Sequence, residues 1–92
     1  MHWQQAIQGF KTYLQLERSL SGNTIESYLR DVNQLKSYSK STLGIEDPTL
    51  LDTNALRTFV QNVANLGLSA TTQSRIISGV RSFYKYLLLE DS

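Results

Sequence analysis

The sequence has no cysteine, one histidine at position 2 and one proline at position 48. Without cysteine, the chain can form neither a disulfide framework nor a thiolate metal site. His2, next to the start, is more typical of a solvent-exposed side chain than of a ligand or a catalyst. No apolar run approaches the roughly 20 residues that span a bilayer, and the start lacks the pattern of a signal peptide. We therefore expect a cytoplasmic protein without a membrane partner.

Acidic residues are missing from a long stretch of the sequence, between Asp52 and Glu90. The whole chain is nearly neutral, with a net charge of +1. Four cations nevertheless fall within the acid-free stretch: Arg57, Arg75, Arg81 and Lys85. This asymmetry points to a nucleic-acid partner. The alternative is a solvated helix face that happens to be basic, because four cations are few against the roughly 6–10 phosphate contacts of a strong DNA binder.

Four segments repeat apolar residues with the helical period, and no strand alternation competes with them. They predict helices from about Trp3 to Arg18, from about Asn23 to Ser39, from a cap at Asp52 or Thr53 to about Asn65, and over 67–88 behind a cap at Ser69. Residues 40–51, with Gly44 and Pro48, are predicted to form a connector. Helices two and four start alike, at 20–24 and 68–72, with Leu-Ser and then a threonine three residues after the serine. We interpret this similarity as shared capping chemistry.

The apolar faces of these helices predict the core. The residues expected to be mostly buried are Phe10, Tyr28, Leu29, Val32, Phe59, Val63, Val80, Phe83 and Leu87. The core stripe predicted for the third helix consists of Leu56, Phe59, Val60 and Val63. Tyr13, Tyr28 and Tyr84 lie on helix faces that face the core, and Tyr38 and Tyr86 lie near face edges. The spacing of all five tyrosines suits packing with the hydroxyl at the surface.

Polar side chains line the opposite faces of helices two and four. On the fourth helix this stripe carries hydroxyls and cations without a carboxylate, with Arg81 at its margin. Helix N-termini attract phosphate, and hydroxyl, amide and guanidinium groups contact phosphates or base edges. The candidate DNA-binding residues are Asn23, Thr24, Ser27, Arg30 and Gln34 of helix two, and Thr71, Thr72, Arg75, Ser78, Arg81, Ser82 and Lys85 of helix four. For Arg75 a structural role stays open, in which the guanidinium turns back to a carboxylate or a helix C-terminus.

Catalysis is not expected from this chain, which lacks a glycine-rich phosphate loop and any histidine inside the folded part. The five tyrosines have a spacing that suits packing rather than nucleophilic attack. Loop solvation and helix capping explain Glu46, Asp47 and Asp52 more simply than a metal site does. We therefore predict no catalytic residue, no metal and no cofactor.

Three segments carry patterns that occur together in one protein family. They are 10–17 (FKTYLQLE), 20–32 (LSGNTIESYLRDV) and, above all, 67–87 (GLSATTQSRIISGVRSFYKYL). The first pattern consists of Leu20, Ser21, Asn23, Thr24, Tyr28 and Asp31. The second consists of Leu68, Ser69, Thr72, Arg75, Ser78, Arg81, Ser82, Phe83 and Tyr84. In this order they resemble the N-terminal core-binding domain of tyrosine recombinases, which include phage integrases and Xer-type recombinases.

This resemblance implies an all-α, four-helix SAM-like orthogonal bundle, with residues 1–92 forming a single domain whose second and fourth helices face the major groove of duplex DNA. In the family, a C-terminal domain of the same protein grips the opposite face of the DNA and holds the catalytic residues, including the nucleophilic tyrosine. That domain is expected beyond residue 92, and the parent protein would be a recombinase or integrase whose protomers join in a synaptic tetramer. Gly79 replaces an alanine common in the family, which suggests close packing or DNA approach at this position. The alternative function is a stand-alone helical protein–protein interaction module.

Overall fold

The computed structural model describes residues 1–90, and within this range the chain contains helices and no strand. The four α-helices are α1 (Trp3–Leu16), α2 (Gly22–Tyr38), α3 (Thr53–Asn65) and α4 (Ala70–Glu90). The predicted all-α bundle of four helices is confirmed, and the predicted helix ends agree with the structure to within one turn. None of the four helices is long and apolar enough to cross a membrane.

Side chains immediately before three of the helices fix where those helices begin. Ser21 Oγ accepts the backbone N–H of Thr24 at 3.3 Å, and Ser69 Oγ accepts that of Thr72 at 3.2 Å. Asp52 accepts the backbone N–H of Ala55 at 2.8 Å. Each cap satisfies a backbone donor that has no partner inside its helix, which stabilises a helix by about 1 kcal/mol. The shared capping chemistry predicted for α2 and α4 is therefore confirmed.

Aromatic rings from α1 and α4 form the centre of the core. Phe83 packs edge-on against Phe10, with ring centroids 5.3 Å apart, and stacks on Trp3 at 5.7 Å. Most of the predicted core is confirmed as buried: Phe10, Val32, Phe59, Val63, Val80, Phe83 and Leu87. Tyr28 and Leu29 are half-buried and pack against this core. Burial of the apolar faces therefore brings the four helices together, as their periodicity predicts.

Helix α3 buries a narrower face than its sequence predicts. Phe59 and Val63 are buried and Leu56 is half-buried, but the Val60 side chain is 36% exposed. The prediction that Val60 belongs to the core stripe was therefore wrong. Val60 follows Phe59 by one position, a rotation of about 100° around the helix, which places it beyond the face that α3 turns toward the bundle.

Tyr86 is also buried more deeply than predicted, with only 7% of its surface exposed. Its ring lies between α4 and α1, with its centroid 5.8 Å from that of Phe10 and 5.2 Å from that of Tyr13. Gly9 of α1 leaves the space into which the Tyr86 hydroxyl extends. Burial raises the pKa of this hydroxyl. The expectation of a surface hydroxyl at Tyr86 failed because the missing side chain at position 9 lets α1 cover the ring.

The connector between α2 and α3 is bound to the bundle at both ends. It contains a π-helical turn (Ser39–Leu43) and a 3-10 turn (Pro48–Leu50). Buried Ser39 accepts the indole N–H of Trp3 at 3.3 Å and donates to the carbonyl of Ile45 at 2.6 Å. The Tyr84 hydroxyl donates to the carbonyl of Pro48 at 2.8 Å. These bonds attach the connector to α1 and α4.

Candidate nucleic-acid interface

Helices α2 and α4 form the most extensive helix pair of the bundle. Gly79 of α4, which is buried, faces α2 where the two helices approach each other. A Cβ atom at position 79 would lie 3.2 Å from both Cβ and Oδ2 of Asp31 and 3.6 Å from the ring of Tyr28. Of the two roles expected for Gly79, the structure therefore shows close packing between helices.

Asp31 of α2 is fully buried, and its carboxylate forms an ion pair with Arg75 of α4. The Arg75 Nε donates to Oδ2 at 3.2 Å, and Nη2 donates to Oδ1 at 3.0 Å. A buried carboxylate needs such a charged, hydrogen-bonding partner, because burial of an unpaired charge is costly. We call Asp31, Arg75 and Gly79 the α2–α4 seam. The seam thus shows the structural role that the sequence left open for Arg75, in which its guanidinium turns back to a carboxylate.

Sequence reasoning did not assign any role to Asp31. It lies at the margin of the apolar arc of α2, where a helical wheel predicts an acid exposed to water. Two signals pointed to it. The glycine in the middle of α4 costs about 1 kcal/mol in helix propensity compared with alanine, and the guanidinium of Arg75 has no carboxylate on its own helix before Glu90, fifteen residues away. Together they indicate a neighbouring helix that approaches closely and supplies an acid.

The twelve predicted site residues all lie at or near the surface. Seven are exposed, namely Asn23, Thr24, Arg30, Thr71, Ser78, Arg81 and Lys85. Five are half-buried, namely Ser27, Gln34, Thr72, Arg75 and Ser82. We call these twelve residues the candidate face. None of them is buried in the core, so the helix faces chosen from the sequence are compatible with contact to a large ligand.

Within α4, Arg75 and Arg81 differ from the places that the sequence gives them. The buried residues of α4 are centred near Phe83, and Arg81 lies roughly opposite them and is exposed. Arg75 lies about 100° or less from that buried centre, on the side of α2. The sequence placed Arg75 within the polar stripe and Arg81 at its margin. In the structure Arg81 is exposed, whereas Arg75 is half-buried because it pairs with Asp31 of α2.

The threonines at the starts of α2 and α4 belong both to the candidate face and to the helix caps. The Ser21 hydroxyl lies 2.9 Å from the Thr24 hydroxyl, and the Ser69 hydroxyl lies 3.0 Å from that of Thr72. In each pair the serine donates to the threonine, so the threonine hydroxyl keeps its own proton for another acceptor. Both helix starts thus present an O–H donor beside backbone N–H groups.

The carboxylates of the connector have structural partners. Asp47 accepts the hydroxyl of Thr49 at 2.6 Å and its backbone N–H at 2.9 Å. The Thr49 hydroxyl, the amino group of Met1 and the Thr49 backbone N–H lower the pKa of Asp47 to about 2. Asp52 caps α3. Within residues 1–90, no group of three or more acids or histidines is arranged to hold a metal ion.

The Tyr84 hydroxyl is held in its protonated form. It is half-buried, it donates to a backbone carbonyl, and burial followed by the charge of Asp47 raises its pKa far above the ordinary value. A phenol with a raised pKa is a poor nucleophile, since attack requires the phenolate. Tyr84 therefore fits a packing role, as its position in the sequence predicts.

A model of the family described as "Phage integrase, N-terminal SAM-like domain" matches residues 7–91. The chain belongs to this family. It is 38% identical over 88 residues to the tyrosine recombinase XerD of Chlorobaculum tepidum. It is 34% identical over 84 residues to the XerC recombinase of Pseudomonas aeruginosa and 39% identical over 83 residues to that of Xanthomonas campestris. The resemblance to the N-terminal domain of tyrosine recombinases, and with it the SAM-like character of the bundle, is confirmed.

These alignments cover nearly all of this chain but a small part of its relatives. They span 96%, 91% and 90% of the chain, and 28%, 27% and 26% of the respective recombinases. The chain thus spans about a quarter of the length of the curated relatives that it matches. No solved structure matches it.

Proposed function

We propose that this chain is the DNA-binding half of a site-specific tyrosine recombinase or integrase and that it grips one face of duplex DNA through α2 and α4. The relatives named above are tyrosine recombinases about four times as long as the matched segment. In this proposal the C-terminal catalytic domain of the same protein grips the other face of the DNA. Recombinase protomers then assemble in a synaptic tetramer for DNA integration or recombination.

The observation that carries this proposal is the composition of the candidate face. Arg30, Arg81 and Lys85 are exposed cations on two adjacent helices, and α4 has no acid before Glu90. The remaining residues of the face supply hydroxyls and amides, which bind phosphates or base edges without adding negative charge. A helix pair with this chemistry is suited to a polyanion.

The free donors at the helix starts add to this charge. The hydroxyls of Thr24, an exposed residue, and of Thr72, a half-buried one, lie where helix N-termini attract phosphate. Few phosphates are neutralised, however, because the face has few cations. We therefore propose weak binding by this chain alone, with the tight grip of the whole protein depending on both of its halves.

The test is a titration of duplex DNA with the chain at two salt concentrations. Arg30→Ala and Arg81→Ala should each weaken binding and reduce the slope of log K against log salt by about 1, because each removes one cation–phosphate contact. Lys11→Ala is the control, since Lys11 is an exposed cation on α1, outside the candidate face. If both arginine variants keep their fold and bind with the wild-type slope, the candidate face is wrong.

The second candidate function is a helical protein-interaction module. Leucines with large exposed fractions favour it, among them Leu16 at 75% and Leu50 at 68%. In this case the arginines would form the rim of a protein interface, and duplex DNA would bind the Lys11 and Arg30 variants equally. The same titration therefore separates the two functions.

A further inference from the structure

We propose that Asp31 is a positioning residue for DNA binding: its buried carboxylate holds the Arg75 guanidinium so that the free edge of that guanidinium receives a DNA phosphate. The inference rests on the function proposed above and deepens it. It assigns a role to an acid outside the candidate face, where a negative charge is expected to oppose binding to a polyanion.

The geometry of the ion pair defines which edge of Arg75 is free. A guanidinium has five N–H donors in a planar fork, and Asp31 accepts one from Nε and one from Nη2. Three donors remain, on Nη1 and on the outer side of Nη2. Because the Nε–Nη2 edge faces a carboxylate with no exposed surface, the remaining donors face away from the interior, and 36% of the Arg75 side chain is exposed.

The chemistry of the free edge suits a phosphate. Arginine binds phosphate oxygens through two parallel N–H donors, and its planar fork makes this recognition more specific than that of a lysine ammonium. Ser78 and Ser82 lie on the same side of α4, three and seven residues after Arg75, and are at least partly exposed. A phosphate at the free edge would thus have hydroxyl donors beside it.

The contribution of Asp31 is preorganisation. A free arginine loses rotamer freedom when it binds a phosphate, whereas Arg75 is already fixed on α4 by two hydrogen bonds to α2. Gly79 lies against this pair, and a Cβ atom there would be 3.2 Å from Oδ2 of Asp31, so the two helices approach closely at the pair. The seam therefore fixes an arginine at the boundary between the two helices of the candidate face.

The decisive variant is Asp31→Asn, because loss of the charge and loss of the positioning predict opposite changes in DNA affinity. Removal of a negative charge near DNA should strengthen binding, but loss of positioning should weaken it. We expect duplex DNA affinity to fall about three- to tenfold, the range of one partly screened charge-assisted contact. The matched control is Glu26→Gln, which removes an exposed acid from the same helix and should leave binding unchanged or slightly tighter.

Three further variants keep the inference testable if Asp31→Asn folds poorly. Arg75→Lys keeps the charge and one bond to Asp31 but has no second edge, so we expect it to bind more weakly than the wild type and more tightly than Arg75→Gln. The double variant Asp31→Asn with Arg75→Gln contains a neutral pair that leaves no buried charge unpaired. It should bind DNA like Arg75→Gln alone, because Asp31 acts only through Arg75.

The outcomes separate this inference from the function on which it rests. Folded Asp31→Asn that binds as tightly as the wild type or tighter, or Arg75→Lys that binds like the wild type, overturns the positioning role and leaves the proposed function intact. Absence of salt-dependent DNA binding by the wild-type chain overturns both. Weaker DNA binding by Asp31→Asn and by Arg75→Gln, with no loss in the double variant beyond that of Arg75→Gln, supports the inference.

Discussion

The Tyr86 hydroxyl fills the space beside Gly9 that a side chain would occupy, so α1 and α4 meet through a glycine and a tyrosine. The phenol is fixed there by the rings of Phe10 and Tyr13. The absence of a side chain at one position thus determines how deeply a ring on another helix is buried.

Gly9→Ala should therefore destabilise the fold. A methyl group would overlap the Tyr86 hydroxyl, and overpacking costs about 1–3 kcal/mol, which exceeds the gain of about 1 kcal/mol from the helix propensity of alanine. Urea denaturation followed by circular dichroism measures the change. Tyr86→Phe removes the overlapping oxygen and should restore part of the stability in the double variant; equal losses in both backgrounds would contradict this contact.

Phe83→Ala should cost about 3–5 kcal/mol in the free energy of unfolding, because it leaves a cavity at the centre of the aromatic core. Phe83 has no exposed surface and contacts the rings of Trp3 and Phe10. The matched control is Leu66→Ala, at a side chain that is 64% exposed. An unchanged thermal midpoint for Phe83→Ala would show that α4 packs through another face.

The same substitution at two positions of α3 tests which face that helix buries. Val63→Ala should cost about 1.5–3 kcal/mol in the free energy of unfolding, since Val63 is 2% exposed. Val60→Ala should change stability by no more than about 0.5 kcal/mol, as surface substitutions do. Chemical denaturation of both variants provides the comparison. Equal losses of stability would show that Val60 belongs to the core stripe, as expected from the sequence.

The lowered pKa of Asp47 predicts a dependence of stability on pH. Its folded-state pKa is about 2, below its ordinary value of 3.8. The interaction therefore stabilises the fold fully above pH 3.8 and is lost as the pH falls through about 2. Thr49→Ala removes the hydroxyl that contributes most to this shift.

In Thr49→Ala the pKa of Asp47 should rise toward its ordinary value, and stability should fall at pH 5 more than at pH 2. NMR titration of the Asp47 carboxyl carbon and thermal unfolding at both pH values measure these effects. Thr58→Ala is the control, because the Thr58 hydroxyl donates to the carbonyl of Asn54 and not to an acid. A carboxyl that titrates alike in all three proteins would rule out the Thr49 contact.

The starts of the helices were predictable because capping depends on short stretches of sequence. Ser21, Asp52 and Ser69 each bond to a backbone N–H three residues later, and this spacing is visible in the sequence. The centres of the apolar faces were predictable for the same reason, since Phe10, Val32 and Phe83 lie in the middle of their apolar arcs.

The margins of the faces were not predictable, because a helical wheel describes one helix and not its neighbours. Tyr86 and Arg75 lie on nearly the same side of α4 but eleven residues apart along it. Tyr86 contacts α1 and Arg75 contacts α2. Their partners are a glycine 77 positions away and an acid 44 positions away. The candidate face was thus predictable as a set of polar residues, whereas the anchoring of Arg75 depends on tertiary packing.

The α2–α4 seam also constrains which substitutions this protein can accumulate during evolution. Loss of Arg75 alone leaves a buried acid unpaired, and loss of Asp31 alone releases a guanidinium. A lineage that replaces one of them must pass through a weakened intermediate unless the other changes at almost the same time. Substitutions at positions 31 and 75 are therefore expected to occur together, and covariation among relatives should link these two positions.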